Sequence, residues 1–157
     1  MQKWIMGAAM AAVCASAGVF DAGTTSVGTT VGSGSGFDNT YTIVGVGASY
    51  FLENGLSVGL GYRGWFGASP TMNEVDLPVT YYVPLQRNVR PYVGAFYRHT
   101  FISGDYSDYD TYGARAGIAY VEGRGYVAAG WVQEWYSNAN GDDSSRGYPE
   151  ISAGISF

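Results

Sequence analysis

Residues 56–66, LSVGLGYRGWF, carry the clearest pattern in the chain. Alternate residues of a β-strand point to opposite faces. One face of this stretch would hold Leu56, Val58, Leu60, Tyr62 and Phe66, and the other Ser57, Gly59, Gly61, Arg63 and Trp65. The stretch therefore predicts a strand with one continuous apolar face and one small, polar face that also carries a charge.

The same period of two recurs along the chain and predicts eight strands, separated by residues typical of turns. The second strand places Val44, Val46 and Ala48 on its apolar face. The first, near Thr24 to Ser33, has the weakest pattern. Pro78 lies within the fourth strand, where it removes a ladder donor, so we expect a bulge and a slipped register there.

The charged residues of the strands share one face. They are Arg63, Asp76, Arg98, Arg115, Glu134 and Glu150, and the opposite face carries no charge. A soluble barrel has a polar exterior around an apolar cavity. An apolar surface on every strand instead predicts lipid outside and packed polar side chains inside. The fold class expected is all-β, an eight-stranded antiparallel up-and-down transmembrane β-barrel.

The connections between these strands are expected to alternate in length. Short turns would lie at Glu53–Gly55, Gln86–Val89 and Glu122–Gly125. Long loops would lie near Gly34 to Asp38 and at Gly67–Glu74, Ser103–Asp110 and Ser137–Gly147. Aromatic residues near the strand ends form two expected girdles: Tyr50, Tyr120 and Phe157 on the turn side, and Tyr62, Phe66, Phe101, Tyr112 and Trp135 on the loop side.

The first residues have the pattern of a secretory signal peptide. Lys3 precedes a short Ala-rich apolar stretch, and Ala15-Ser16-Ala17 forms a small-x-small cleavage site. We expect a signal peptide at residues 1–17 and one barrel domain at residues 18–157. Cleavage after Ala17 would remove Cys14, the single cysteine. A lipidated Cys14 is the alternative, although the bulky Val13 before it fits poorly.

The chain resembles the small bacterial outer-membrane β-barrels of the OmpX/OmpA type. The resemblance is carried by the leader, the eight alternating segments, the stretch Arg90-Pro91-Tyr92-Val93-Gly94-Ala95 and the terminal Ile155-Ser156-Phe157. It implies an integral outer-membrane protein of a Gram-negative bacterium, a monomer with both termini in the periplasm. It also implies that Ile155 and Phe157 form the assembly signal read by the barrel-assembly machinery, and that lipopolysaccharide and other outer-membrane lipid surround the barrel.

Three functions remain open at this stage. The six strand charges predict a structural ion-pair network in a filled lumen, and hence a non-catalytic structural or surface-interaction role through acidic loops. A small low-conductance pore is one alternative. A lipid A-modifying enzyme built around His99, the only histidine, is another, although the nearest following serine, Ser103, is four residues away. No enzyme activity is the expectation.

No cofactor is expected. The expected loops contain one base, Arg146, and seven acids: Asp38, Glu74, Asp105, Asp108, Asp110, Asp142 and Asp143. Three of the acids, Asp105, Asp108 and Asp110, suggest cation bridging to lipopolysaccharide phosphates as a further hypothesis. Residues 59–64 match the dinucleotide motif G-x-G-x-x-G, but they lie inside a strand. A net charge of −5 argues against nucleic acid as a partner.

Overall fold

The structure is a computed structural model that describes residues 18–85, 88–137 and 143–157. In these residues the chain forms eight strands: β1 (Thr25–Gly36), β2 (Asn39–Glu53), β3 (Leu56–Phe66), β4 (Met72–Tyr82), β5 (Val89–Ile102), β6 (Tyr109–Glu122), β7 (Gly125–Ser137) and β8 (Asp143–Ser156). The expected leader at residues 1–17 lies outside the described residues. No helix among the described residues is long and apolar enough to span a bilayer.

Each strand pairs antiparallel with its neighbour in sequence, and β8 pairs with β1 to close the barrel. The closing ladder runs from Ser26 opposite Ser156 to Gly32 opposite Glu150. Closure leaves no strand edge unpaired, which is what a hydrocarbon environment requires of a sheet. The predicted up-and-down barrel of eight strands is confirmed.

The two faces of the strands are also as predicted. The exposed residues include Val46, Leu60 and Leu77, each more than half exposed. Both expected aromatic girdles lie on this outer surface as well. The inner face is buried and holds the charges, the small residues and a second set of aromatic rings. The apolar surface therefore surrounds the whole barrel.

The predicted alternation of short turns and long loops was wrong in two places. The first link is a two-residue turn, in which Phe37 and Asp38 have φ of 49° and 59°. Positive φ at both central residues is the type I′ geometry that continues a hairpin without splaying it. The fourth link is longer than expected, because β4 ends at Tyr82 and β5 begins at Val89. Gln86, Arg87 and Asp142, which were assigned to links, lie outside the described residues.

The bulge expected at Pro78 was also wrong. Val58 pairs with Val79 and Gly61 with Asp76, so β3 and β4 keep one register on both sides of Pro78. The ladder between them is interrupted only next to Pro78, which lacks the backbone donor. On its other side Pro78 pairs with Phe96 of β5. A register shift occurs instead between Phe51 and Glu53 of β2.

Candidate functional site

The lumen brings together all six charged residues that the sequence placed on the inner face. Arg63 lies 3.0 Å from Glu150 and 3.6 Å from Asp76. Arg115 lies 3.5 Å from Glu150 and donates a hydrogen bond of 2.8 Å to the hydroxyl of Thr80. A second group forms around Arg98, which pairs with Glu134. Each of these charges therefore has an opposite partner, as burial requires.

Two further charges belong to this network and were assigned to loops by the sequence. Glu74 is fully buried and lies 3.4 Å from Arg98. Arg146 donates to Glu134 at 2.6 Å and lies 3.5 Å from Glu74. The loop assignment of Glu74 and Arg146 was wrong because β4 begins at Met72 and β8 at Asp143, earlier than expected. The network balances four guanidinium groups with four carboxylates.

Tyr148 connects the two groups of charges. Its hydroxyl donates to Glu134 at 2.8 Å and accepts from Arg98 at 3.0 Å and from Arg63 at 3.4 Å. The sequence analysis missed this residue, because it placed a long loop up to Gly147 and did not recognise Tyr148 as part of the last strand, which begins at Asp143. Tyr148 lies two residues before Glu150, so continuing the strand toward its N-terminal end would have placed both side chains on the inner face.

Buried aromatic rings pack against these charges and fill the space around them. Tyr41, Trp65 and Phe96 belong to one buried cluster, with Trp65 in edge contact with both Tyr41 and Tyr148. The guanidinium carbons of Arg146 and Arg98 lie 4.3 Å from the ring centres of Trp65 and Phe96, respectively. Such contacts favour a desolvated cation over an aromatic face. This half of the lumen is therefore filled.

The links at the extracellular end meet above the lumen. The ring of Phe37, in the first turn, lies 5.0 Å from that of Tyr106, in the link from β5 to β6. In the strand order these two links lie on opposite sides of the barrel. The hydroxyl of Thr71 hydrogen bonds to that of Ser103 at 2.9 Å and ties a third link to them. We call Phe37, Thr71, Ser103 and Tyr106 the crown.

His99 lies on the outer surface near the crown. Its Nδ1 is 2.7 Å from Oδ1 of Asp110, and the hydroxyl of Tyr97 donates to the same oxygen at 2.7 Å. Ser103, the serine considered as a nucleophile partner, is hydrogen bonded to Thr71 instead. The structure thus provides a histidine and an acid, but it engages the considered serine elsewhere.

The acidic link from β5 to β6 does not assemble the hypothesised cation site. Asp108 accepts a hydrogen bond of 2.9 Å from the backbone of Ile102. Asp110, which the sequence analysis assigned to the loop, lies in β6 and is engaged by His99 and Tyr97. Within the part of the chain that the structure describes, no group of three or more potential ligands is arranged to hold a metal ion. Residues 59–64, the G-x-G-x-x-G match, lie within β3, as expected for a chance match.

The C-terminal residues expected to form the assembly signal lie at the seam of the barrel. Ile155 pairs with Val27 of β1 and with Gly125 of β7. Phe157 and Thr25 exchange two backbone hydrogen bonds of 2.9 Å. Both side chains are exposed on the outer surface, where another protein or lipid can contact them.

Comparison with known proteins gives matches among solved structures only. No protein-family model and no curated protein match the chain. The N-terminal β-barrel domain of Pseudomonas aeruginosa OprF superposes with a TM-score of 0.61 at 18% identity, covering 84% of this chain and 97% of that one. Neisserial surface protein A gives 0.61 at 17% identity, covering 85% and 95%. Ail of Yersinia pestis gives 0.51 at 13% identity, covering 87% and 99%.

These likenesses establish the fold as that of the small outer-membrane β-barrels. The apolar surface adds a physical argument, because every strand presents exposed aliphatic or aromatic residues to the outside. Exposing this apolar belt to water would cost about 25 cal/mol of free energy for each Å². Acyl chains remove that penalty. The chain is an integral outer-membrane barrel whose charged lumen is closed to lipid.

Proposed function

We propose that this outer-membrane barrel has no catalytic or transport activity and acts as a structural envelope protein with an interacting extracellular surface. The observation that carries the proposal is the filled lumen. The ion-pair network and the aromatic cluster around Trp65 occupy its extracellular half. What remains for contact with other molecules is the outside of the barrel.

The crown is the part of that outside with the composition of an interaction surface. Phe37 is 40% and Tyr106 54% exposed even though their rings touch. Aromatic residues are enriched where proteins bind partners, because they bury a large area at a small cost in conformational entropy. Asp38 and Asp105 are exposed close by in sequence and give the surface negative charge. Lipopolysaccharide, bridged by divalent cations, is the partner we propose for this surface.

The test compares envelope integrity in cells that lack the protein. Wild-type protein should restore resistance to detergent and to bulky antibiotics. A crown variant with Phe37→Ser and Tyr106→Ser should restore it only in part, and Glu122→Ser, at the opposite end, should restore it fully. Binding of purified lipopolysaccharide in Mg²⁺ should weaken in the crown variant alone. Equal behaviour of all three proteins would refute a role for the crown.

Transport is tested separately. Purified protein in planar bilayers should give no conductance above leak, because the lumen holds paired charges rather than a free aqueous path. Stable single-channel steps would contradict the proposal and support the small pore instead.

A second candidate function rests on the contact between His99 and Asp110. A carboxylate at 2.7 Å from Nδ1 orients an imidazole and leaves its Nε2 free to act as a base. The pair is on the outer surface near the crown, where lipid A would lie. This geometry favours a lipid A-modifying hydrolase that activates water directly.

His99→Ala distinguishes the two functions. Mass spectra of lipid A from cells with the wild-type protein and with the variant should be identical if the barrel is not an enzyme. Tyr97→Phe is the matched control, because it removes the other hydrogen bond to Asp110 and leaves the imidazole in place. Loss of a lipid A species in His99→Ala, but not in Tyr97→Phe, would establish the enzyme.

A further inference from the structure

The segment that precedes the first strand folds back into the periplasmic end of the lumen. Val19 and Phe20 are buried, at 4% and 7% exposure. The ring of Phe20 stacks on that of Tyr82 at 3.9 Å with an angle of 17°. It also lies 5.4 Å from the rings of both Phe51 and Tyr126. Residues 18–24 thus fill the periplasmic end of the lumen.

The backbone of this segment is hydrogen bonded to the barrel. The Gly23 amide donates to the Phe51 carbonyl at 2.8 Å, and the Gly55 amide donates to the Phe20 carbonyl at 2.8 Å. The Ala22 amide donates to the side chain of Asn54 at 2.9 Å. These bonds join the segment to the end of β2 and the turn that follows it. Residues 18–24 therefore have a defined seat, and we call them the plug.

A polar chamber of about 70 Å³ lies between the plug and the ion-pair network. Tyr82 and Tyr126 line it on the plug side, and Asp76 and Arg115 on the network side. Small residues such as Ser152 line its walls. A polar cavity needs about 10–15 Å³ of such space to hold one water molecule, so this chamber has room for several. The plug lies between this polar chamber and the periplasm.

The first residue of the plug has a partner suited to a charged amine. The nitrogen of Gly18 donates to Oδ2 of Asp21 at 2.6 Å. Cleavage after Ala17, the expected processing site, would convert that amide into an ammonium group. A charged donor makes a shorter and stronger hydrogen bond to a carboxylate than a neutral amide does. Processing would therefore strengthen a contact within the plug, between its first residue and Asp21.

We propose that residues 18–24 are a maturation-dependent plug: the ammonium group formed at Gly18 pairs with Asp21, and Phe20 then seals the polar chamber from the periplasm. This inference goes beyond the proposed function, because it concerns the inside of the barrel and does not depend on the crown. It predicts that access to the chamber is controlled at the periplasmic end. Asp21 would act there as the partner of the ammonium group, and Phe20 as the seal.

A single cysteine reports on the plug. The only cysteine of the chain is Cys14, in the expected leader, so Ser152→Cys introduces the only thiol of the mature protein. The mature chain carrying Ser152→Cys is placed in vesicles and treated with a charged methanethiosulfonate reagent from the periplasmic side. Adding Phe20→Ala should raise the labelling rate about tenfold or more, because the plug then opens more often. Phe37→Ala, an aromatic deletion at the other end, should leave the rate unchanged.

The role of the ammonium group is tested in the same vesicles. Asp21→Asn should raise the labelling rate several-fold, and so should a chain extended by two residues before Gly18, which moves the ammonium away. Glu122→Cys, at the exposed periplasmic end of β6, should label fast in every background, and heat-modifiable migration on a gel confirms that each barrel is folded. Equal labelling of Ser152→Cys with and without Phe20→Ala overturns the seal. Fast labelling only with Phe20→Ala, and not with Asp21→Asn or the extension, overturns the maturation step.

Discussion

The extracellular and periplasmic halves of the lumen are filled in different ways. Four arginines and four carboxylates, joined through Tyr148, fill the extracellular half. In the periplasmic half, aromatic rings pack around Phe20 of the plug. The first filling consists of directional contacts within the barrel strands. The second depends on shape and on a segment outside the barrel.

This difference has a physical consequence for stability. A buried charge that loses its partner keeps its desolvation cost, so each member of the network depends on the others. Stacked rings lose area gradually and tolerate small changes. The extracellular half should therefore be sensitive to single substitutions that leave side-chain volume almost unchanged, whereas the periplasmic half should respond to loss of ring area.

Arg98→Met should have the largest effect. Arg98 is fully buried and contacts both Glu74 and Glu134, so its removal leaves the network with excess negative charge. Removing one partner of a buried pair costs about 3–5 kcal/mol. Unfolding in urea from vesicles, followed by tryptophan fluorescence, should show a free energy of unfolding lowered by that amount, seen as a lower midpoint with an unchanged slope.

A double substitution provides the control for Arg98→Met. Adding Glu74→Gln restores the balance of charges, so the double variant should recover part of the lost free energy of unfolding. The loss in the double variant should be smaller than the sum of the two single losses by about 1–3 kcal/mol. Additive losses would show that Arg98 acts through packing against Phe96 rather than through its charge.

The extracellular half could be predicted from the sequence to a large extent, because strand periodicity assigns side chains to faces. Arg63, Arg98 and Arg115 follow directly from their phase relative to apolar neighbours. Glu74 and Arg146 were missed because both lie in the first few residues of strands whose beginnings were placed too late. The outer residues at those strand ends are less uniformly apolar, so the alternation that marks a strand fades there.

The plug could not be predicted in the same way. Val19 and Phe20 precede the first strand, and a segment that folds back has no periodicity to detect. The only signal was the presence of two apolar residues between a cleavage site and a strand. The closure of the crown was missed for a related reason, because the contact of Phe37 with Tyr106 joins links that are distant in sequence.

Tyr148→Phe should have an intermediate effect. The substitution keeps the ring beside Trp65 and removes only the hydroxyl that bridges Glu134, Arg98 and Arg63. A hydrogen bond to a charged group contributes about 1.5–3 kcal/mol. We expect a loss of about 2 kcal/mol in the free energy of unfolding, measured as for Arg98→Met. A loss near zero would mean that the two groups of charges are stable without their bridge.

Tyr82→Phe, the same chemical change in the periplasmic half, should have the smallest effect. Tyr82 contacts Phe20, Phe51 and Tyr92 through its ring, and phenylalanine keeps that ring. We expect a change in unfolding free energy within about 0.5 kcal/mol. The thiol of Ser152→Cys should also remain protected in this background, since Phe20 still stacks on the ring at position 82. A loss as large as that of Tyr148→Phe would show that a side-chain hydroxyl is as important in the periplasmic half as in the extracellular half, and the contrast between the two fillings would then be untenable.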